Sequence, residues 1–114
     1  MAAAAGRRAA VLTVPVFAVT VLCGPGWDAT RPRREQPGWT EHAAFMDGLV
    51  ADGFVVLGGP IGDGEEVLLA VEAADVEEVV DRLHADPWTP TGQLLIGEIR
   101  PWTIWLDGRR PFPG

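Results

Sequence analysis

The stretch Pro15-Val16-Phe17-Ala18-Val19-Thr20-Val21-Leu22-Cys23 is apolar and β-branched on both of its alternating faces. This is the feature that most narrows the choice of fold. A strand with one wet face alternates apolar with polar; a strand that does not alternate must be covered on both sides. At 114 residues the chain makes one domain, so few elements are available to do the covering.

Glycine and proline mark out those elements. Residues 1–13 read as a disordered, alanine-rich tail, residues 14–107 as the folded domain, and residues 108–114 as a loose end. Gly24-Pro25-Gly26 stops the first strand. Residues 24–38 form a long loop with Pro25, Pro32, Pro37, Arg31, Arg33 and Arg34; loops of this length in small domains are often functional. Thr40 is placed to cap a helix whose apolar stripe is Phe45, Met46, Leu49 and Val50, and Gly53 ends it. Phe54–Leu57 is a second strand, closed by Gly58-Gly59-Pro60, and the turn Gly62-Asp63-Gly64 leads into a third strand at Val67–Val71. Ala74–Ala85 is a second helix with Val76, Val79, Val80 and Leu83 on one face, stopped by Pro87. Leu94–Ile99 is the fourth strand, with Trp102–Leu106 as its continuation past a kink at Pro101.

The order βαββαβ specifies an α+β, ferredoxin-like antiparallel sheet with both helices on one face. The other face then carries Val, Leu and Phe side chains with nothing over them. At ~25 cal/mol per Å² that surface favours association strongly, so the expected assembly is a homodimer, two sheets face to face as a dimeric α+β barrel.

Bulk properties exclude several function classes. The net charge of −7 opposes a phosphate-tracking surface, so no nucleic-acid partner is expected. No apolar run reaches the length of a membrane span. Cys23 is the one cysteine, which rules out an internal disulfide and a paired-cysteine zinc site and fits a reducing, cytoplasmic setting. Arg7-Arg8 ahead of an apolar run loosely mimics an export signal, but Pro15 interrupts the run and Leu22 precedes Cys23 where a small residue belongs. Phosphate loops, dinucleotide fingerprints and serine nucleophile elbows are absent from the sequence.

His42 is the residue out of place. It falls three and four residues before Phe45 and Met46, on the apolar stripe of the first helix. An imidazole there is either a core histidine bonded to backbone or the working end of a pocket. Asp86, held extended by Pro87, is its candidate partner; a plain Asp-Pro turn is the competing reading. A paired carboxylate would orient the imidazole and stabilise its cation. His84 is read as a solvated residue at a helix end, and no metal site is expected. Trp39 and Trp88 flank the two candidates and could wall one cavity, or simply pack. Gly59-Pro60 would let backbone approach a ligand, and also suits a plain turn. Arg33 and Arg34 could clamp an anionic substrate, with Arg34 counted in the candidate pocket, or be solvated.

Taken together, Arg33-Arg34-Glu35-Gln36-x-x-Trp39-x-x-His42-Ala43-x-Phe45-Met46-Asp47, Gly53-Phe54-x-x-x-Gly58-Gly59-Pro60, Asp86-Pro87-Trp88 and Ile99-Arg100-Pro101-Trp102 resemble the YCII-related (YciI-like) family over most of residues 15–106. The resemblance implies a dimeric ferredoxin-like barrel and a pocket with a catalytic His-Asp pair, which fall on His42 and Asp86; Gly59 and Pro60 match the family's Gly-Pro element. One member class removes chloride from a chlorinated hydroxyquinol without a cofactor, but that substrate does not carry over. The long loop before the first helix departs from shorter members. The expected function is a small, cofactor-independent lyase or isomerase acting on a small organic molecule. The alternatives are a binding or regulatory dimer that uses the same cavity without turnover, and a structural dimer with an inert buried histidine.

Overall fold

The computed structural model describes residues 14–109. The elements are β1 (Val16–Cys23), a short 3₁₀ turn (Arg33–Glu35), α1 (Trp39–Ala51), β2 (Val55–Ile61), β3 (Glu66–Glu72), α2 (Val76–His84) and β4 (Leu94–Pro101). They form one four-stranded sheet in the order β2-β3-β1-β4. Every adjacent pair is antiparallel. This α+β arrangement is compatible with a ferredoxin-like fold. The expected tail over residues 1–13 and the end of the chain from residue 110 lie outside the described residues. Among the described residues no helix is long and apolar enough to cross a membrane.

Strand alternation decides which residues enter the core. Phe17, Val19 and Val21 of β1 and Val67, Leu69 and Val71 of β3 share one face with Leu49, Phe54, Val55, Val79 and Leu83. Val19, Val71 and Val79 have no exposed surface. The partners of these strand residues on the other parity, Ala18↔Ala70 and Thr20↔Leu68, point to the opposite face. There Leu22, Leu57 and Leu95 keep 39%, 54% and 48% of their surface exposed, so the apolar surplus on both parities of β1 is real and part of that side is uncovered.

Four local outcomes differ from expectation, each for a physical reason. β2 runs on through Gly58-Gly59-Pro60 to Ile61, because β2 is an edge strand and proline costs no ladder bond on its free side. A Cβ at Gly58 would overlap the side chain of Leu69 on β3, so glycine there permits close strand approach. Trp102–Leu106 does not continue β4. The bond from Trp102 N–H to Val16 O (2.8 Å) is the last rung, and β1 has begun at Val16, so no partner strand remains. α1 starts at Trp39 after Gly38, which sits at φ 82°, and Thr40 lies inside the helix. Finally, Val50 is 55% exposed; it follows His42 by two helical turns plus about 80°, past the edge of the stripe.

Thr20 fixes a bulge in β4. The register between β1 and β4 shifts between Val19 and Val21, and Thr20 Oγ1 accepts the Glu98 N–H at 2.7 Å. The extra residue lets both Ile96 and Ile99 reach the core although they are three apart.

Candidate functional site

α1 and the turn after α2 bring the two singled-out residues together. His42 opens the second turn's worth of α1 stripe, its N–H bonded to Gly38 O at 3.0 Å. α2 is capped by Asp75, whose carboxylate accepts the Glu78 N–H, and ends at His84 with Ala85 as C-cap. Asp86 N–H bonds back to Leu83 O, and Pro87 then prevents the helix from continuing. The Asp86 side chain turns inward. His42 Nδ1 stands 2.8 Å from Asp86 Oδ2 and 3.0 Å from Oδ1, although the residues are 44 apart in sequence. Both side chains are more than nine-tenths buried.

The carboxylate is held from a second direction. Trp88 N–H donates to Asp86 Oδ1 at 2.9 Å, an Asx-type turn that fixes the carboxylate plane. An ionised carboxylate can only accept, so it selects the imidazole tautomer with hydrogen on Nδ1. Nε2 is then the free lone pair. Among the described residues it has no hydrogen-bond partner, yet no sealed side-chain nitrogen or oxygen there lacks one. Nε2 therefore keeps accessible surface.

His42 and Asp86 both stand in the wall of a cavity of about 70 Å³, together with Thr89, Arg33, Val21, Met46, Leu69, Leu83 and Ile96. The wall is mostly hydrocarbon, with a few convergent polar groups at one side, the usual composition of a small-molecule site.

The tryptophans support the histidine. The Trp88 indole lies parallel to the His42 imidazole, with centroids 3.9 Å apart and planes at 6°. Trp88 is 1% exposed and its Nε1–H donates to Pro37 O at 2.8 Å. It is a buried platform behind the imidazole and is not among the residues of the cavity wall. Trp39 sits 5.8 Å from the His42 ring and 6.1 Å from Trp88, also outside the wall.

The structure places the remaining candidates elsewhere. Gly59 and Pro60 are in β2, paired with Leu68 and Val67, and border the cavity only through the neighbouring strand. Arg34 lies over the Trp39 ring at 5.7 Å. Arg33, one residue earlier, is the arginine in the wall. His84 is exposed, and among the described residues no group of three His, Cys, Asp or Glu could hold a metal.

Two residues that hold the site carry no sequence signal of that role. Gln36, 3% exposed in a proline-rich loop, accepts the Asp28 N–H at 3.0 Å and donates to Asp28 O and Arg31 O. Gln93, also buried, donates to the same Pro37 carbonyl that Trp88 uses. Gln36 falls within the Arg33–Asp47 segment that carries the resemblance, but nothing in its spacing points to a partner. Asp28 accepts from the Thr30 hydroxyl and amide, and this holds its carboxyl below the ordinary value, with Arg31 adding to the effect.

No family model matches this chain, and no curated protein or solved structure does either.

Proposed function

We propose that the protein is a small, cofactor-independent enzyme of lyase or isomerase type in which His42 transfers a proton within a small organic molecule. The observation that carries this reading is the direction of the imidazole. Nδ1 is bound to Asp86, Nε2 is unpaired among the described residues, and His42 lines the cavity. That is the geometry of a general base whose orientation is set by its neighbour.

In this reading Nε2 takes a proton from a carbon next to a carbonyl. The Nδ1–H···carboxylate contact and the indole face of Trp88 stabilise the imidazolium that results. The proton then returns to a different atom of the substrate in an isomerase, or to a departing group in a lyase. The YCII-related resemblance supports the same pair and the same class of chemistry.

The proposed assembly is a homodimer through the uncovered sheet face. Leu22, Leu57 and Leu95 stand exposed there, and Trp102, Ile104 and Leu106 border a hollow against Val16, Leu57 and Ala70 at one end of it. Apolar surface of this kind is what an obligate interface buries.

The test uses small enolisable oxoacids in deuterium oxide, followed by proton NMR. The wild-type protein should exchange a carbon-bound hydrogen and His42→Asn should not. Equal rates in the two would take the histidine out of the chemistry. A cavity that binds such molecules without any exchange would favour the non-catalytic binding module.

A further inference from the structure

We propose that the cavity beside His42 is built for a small organic anion, and that Arg33 holds its charged end. The inference deepens the reading above and rests on it for the role of His42.

Arg33 is the one arginine among the described residues of the cavity wall. Among the described residues its guanidinium enters no ion pair; it lies over the Trp27 ring, 5.1 Å from the centroid. On its outer side it borders a second hollow that includes Glu65, without pairing to it. The planar guanidinium fork therefore remains free to accept a carboxylate or an enolate oxygen in two parallel bonds.

Its position is set by a row of rings. Trp27 meets Trp88 edge to face, with centroids 5.7 Å apart, and Trp88 is stacked on His42. The charge that would hold the ligand and the base that would act on it thus share one buried support. The loop carrying Arg33 is fixed at its base by Gly24 N–H to Gln93 O and Gly26 N–H to Gly92 O, each 2.9 Å, and internally by Gln36.

Asp86 is the one carboxylate among the described residues of the wall, and it does not oppose an anion strongly. Its two oxygens face His42 Nδ1 and the Trp88 amide. The protein as a whole carries a charge of −7, so an anionic ligand needs a local cation to enter against that field.

Volume sets the size. A cavity of about 70 Å³ has room for roughly five to seven water-sized groups. That fits a short, branched or unsaturated carboxylic acid with its hydrocarbon against Val21, Leu69 and Ile96.

The experiment compares isobutyrate with its neutral isostere isobutyramide on the full-length protein, monitoring the His42 ring signals by NMR. Isobutyrate should shift those signals and bind at least about tenfold more tightly than the amide. Arg33→Met should remove about that factor, whereas Arg34→Met should not. Added salt should weaken the acid and not the amide in the wild-type protein, a readout that needs no variant. Equal binding of acid and amide, unchanged binding in Arg33→Met, or no isobutyrate shift at His42 would each overturn the proposal. Failure of proton transfer is read separately. Arg33-dependent isobutyrate binding without His42-dependent exchange leaves the anion site standing and removes the catalysis, and exchange without that binding does the reverse.

Discussion

The imidazole of His42 and the indole of Trp88 lie face to face, 3.9 Å between centroids, so one face of the histidine ring is covered by a buried aromatic plane. Trp88 is also fully enclosed and bonded to Pro37. Trp88→Phe keeps a flat ring behind the imidazole but leaves the Pro37 carbonyl with one donor, Gln93. It should destabilise the protein by about 1–3 kcal/mol, read from the midpoint of urea unfolding. Trp88→Ala should cost about 3–5 kcal/mol and disorder the histidine.

Asp86→Asn tests the tautomer. An amide can donate to Nδ1, which would move the ring hydrogen to Nε2 and block the base. The proton-exchange rate should fall on the order of 10³-fold while the far-ultraviolet circular dichroism stays that of the wild type. A loss of less than about tenfold would show that Asp86 orients nothing of consequence.

The uncovered sheet face yields a prediction about assembly. Leu57→Lys places a charge on that face, on the edge strand β2, where leucine is 54% exposed. Multi-angle light scattering should report a dimer for the wild-type protein and a monomer for the variant. A wild-type monomer would end the barrel proposal without touching the pocket.

Acid stability should depend on Asp52. Its carboxylate accepts the Phe54 N–H at 3.2 Å and pairs with Arg82 from α2, and the Phe54 bond is the main reason its pKa lies below the ordinary 3.8. The folded value is lower than the unfolded one. The stabilisation is therefore present above about pH 3.8 and is lost as pH falls through the folded value. Asp52→Asn should be less stable than the wild type at neutral pH, with the gap closing in acid. A gap that does not change with pH would mean that the carboxylate's charge plays no part.

The loop that carries Arg33 should be intolerant at its base. A Cβ at Gly26 would overlap the carbonyl oxygen of Thr91, and one at Gly24 the carbonyl oxygen of Gly92. Gly26→Ala should lower stability by about 1–3 kcal/mol and weaken isobutyrate binding together with it.

Much of the fold was legible because punctuation and periodicity are local. Gly24, Gly53 and Pro87 each stop an element near where the residue pattern says they should, and Gly62-Asp63-Gly64 turns the chain into β3. The errors arose where a neighbour decides. Gly58-Gly59-Pro60 reads as a stop, yet its position on a sheet edge allows the ladder to continue along the paired side. Trp102–Leu106 reads as strand, yet β1 offers it no partner. At the site, His42 stood out because it interrupts a hydrocarbon stripe. Which of Arg33 and Arg34 faces the cavity could not be read, because adjacent residues on a 3₁₀ turn diverge by about 120° and the turn's orientation depends on Gln36 and Trp27.

The wall residues come from the proline-rich loop, both helices, the turn after α2 and strands β1, β3 and β4, and His42 and Arg33 of one chain border the same hollow. A subunit that loses either is left with a deficient pocket of its own, so mixing subunits that lack His42 with subunits that lack Arg33 should restore no turnover.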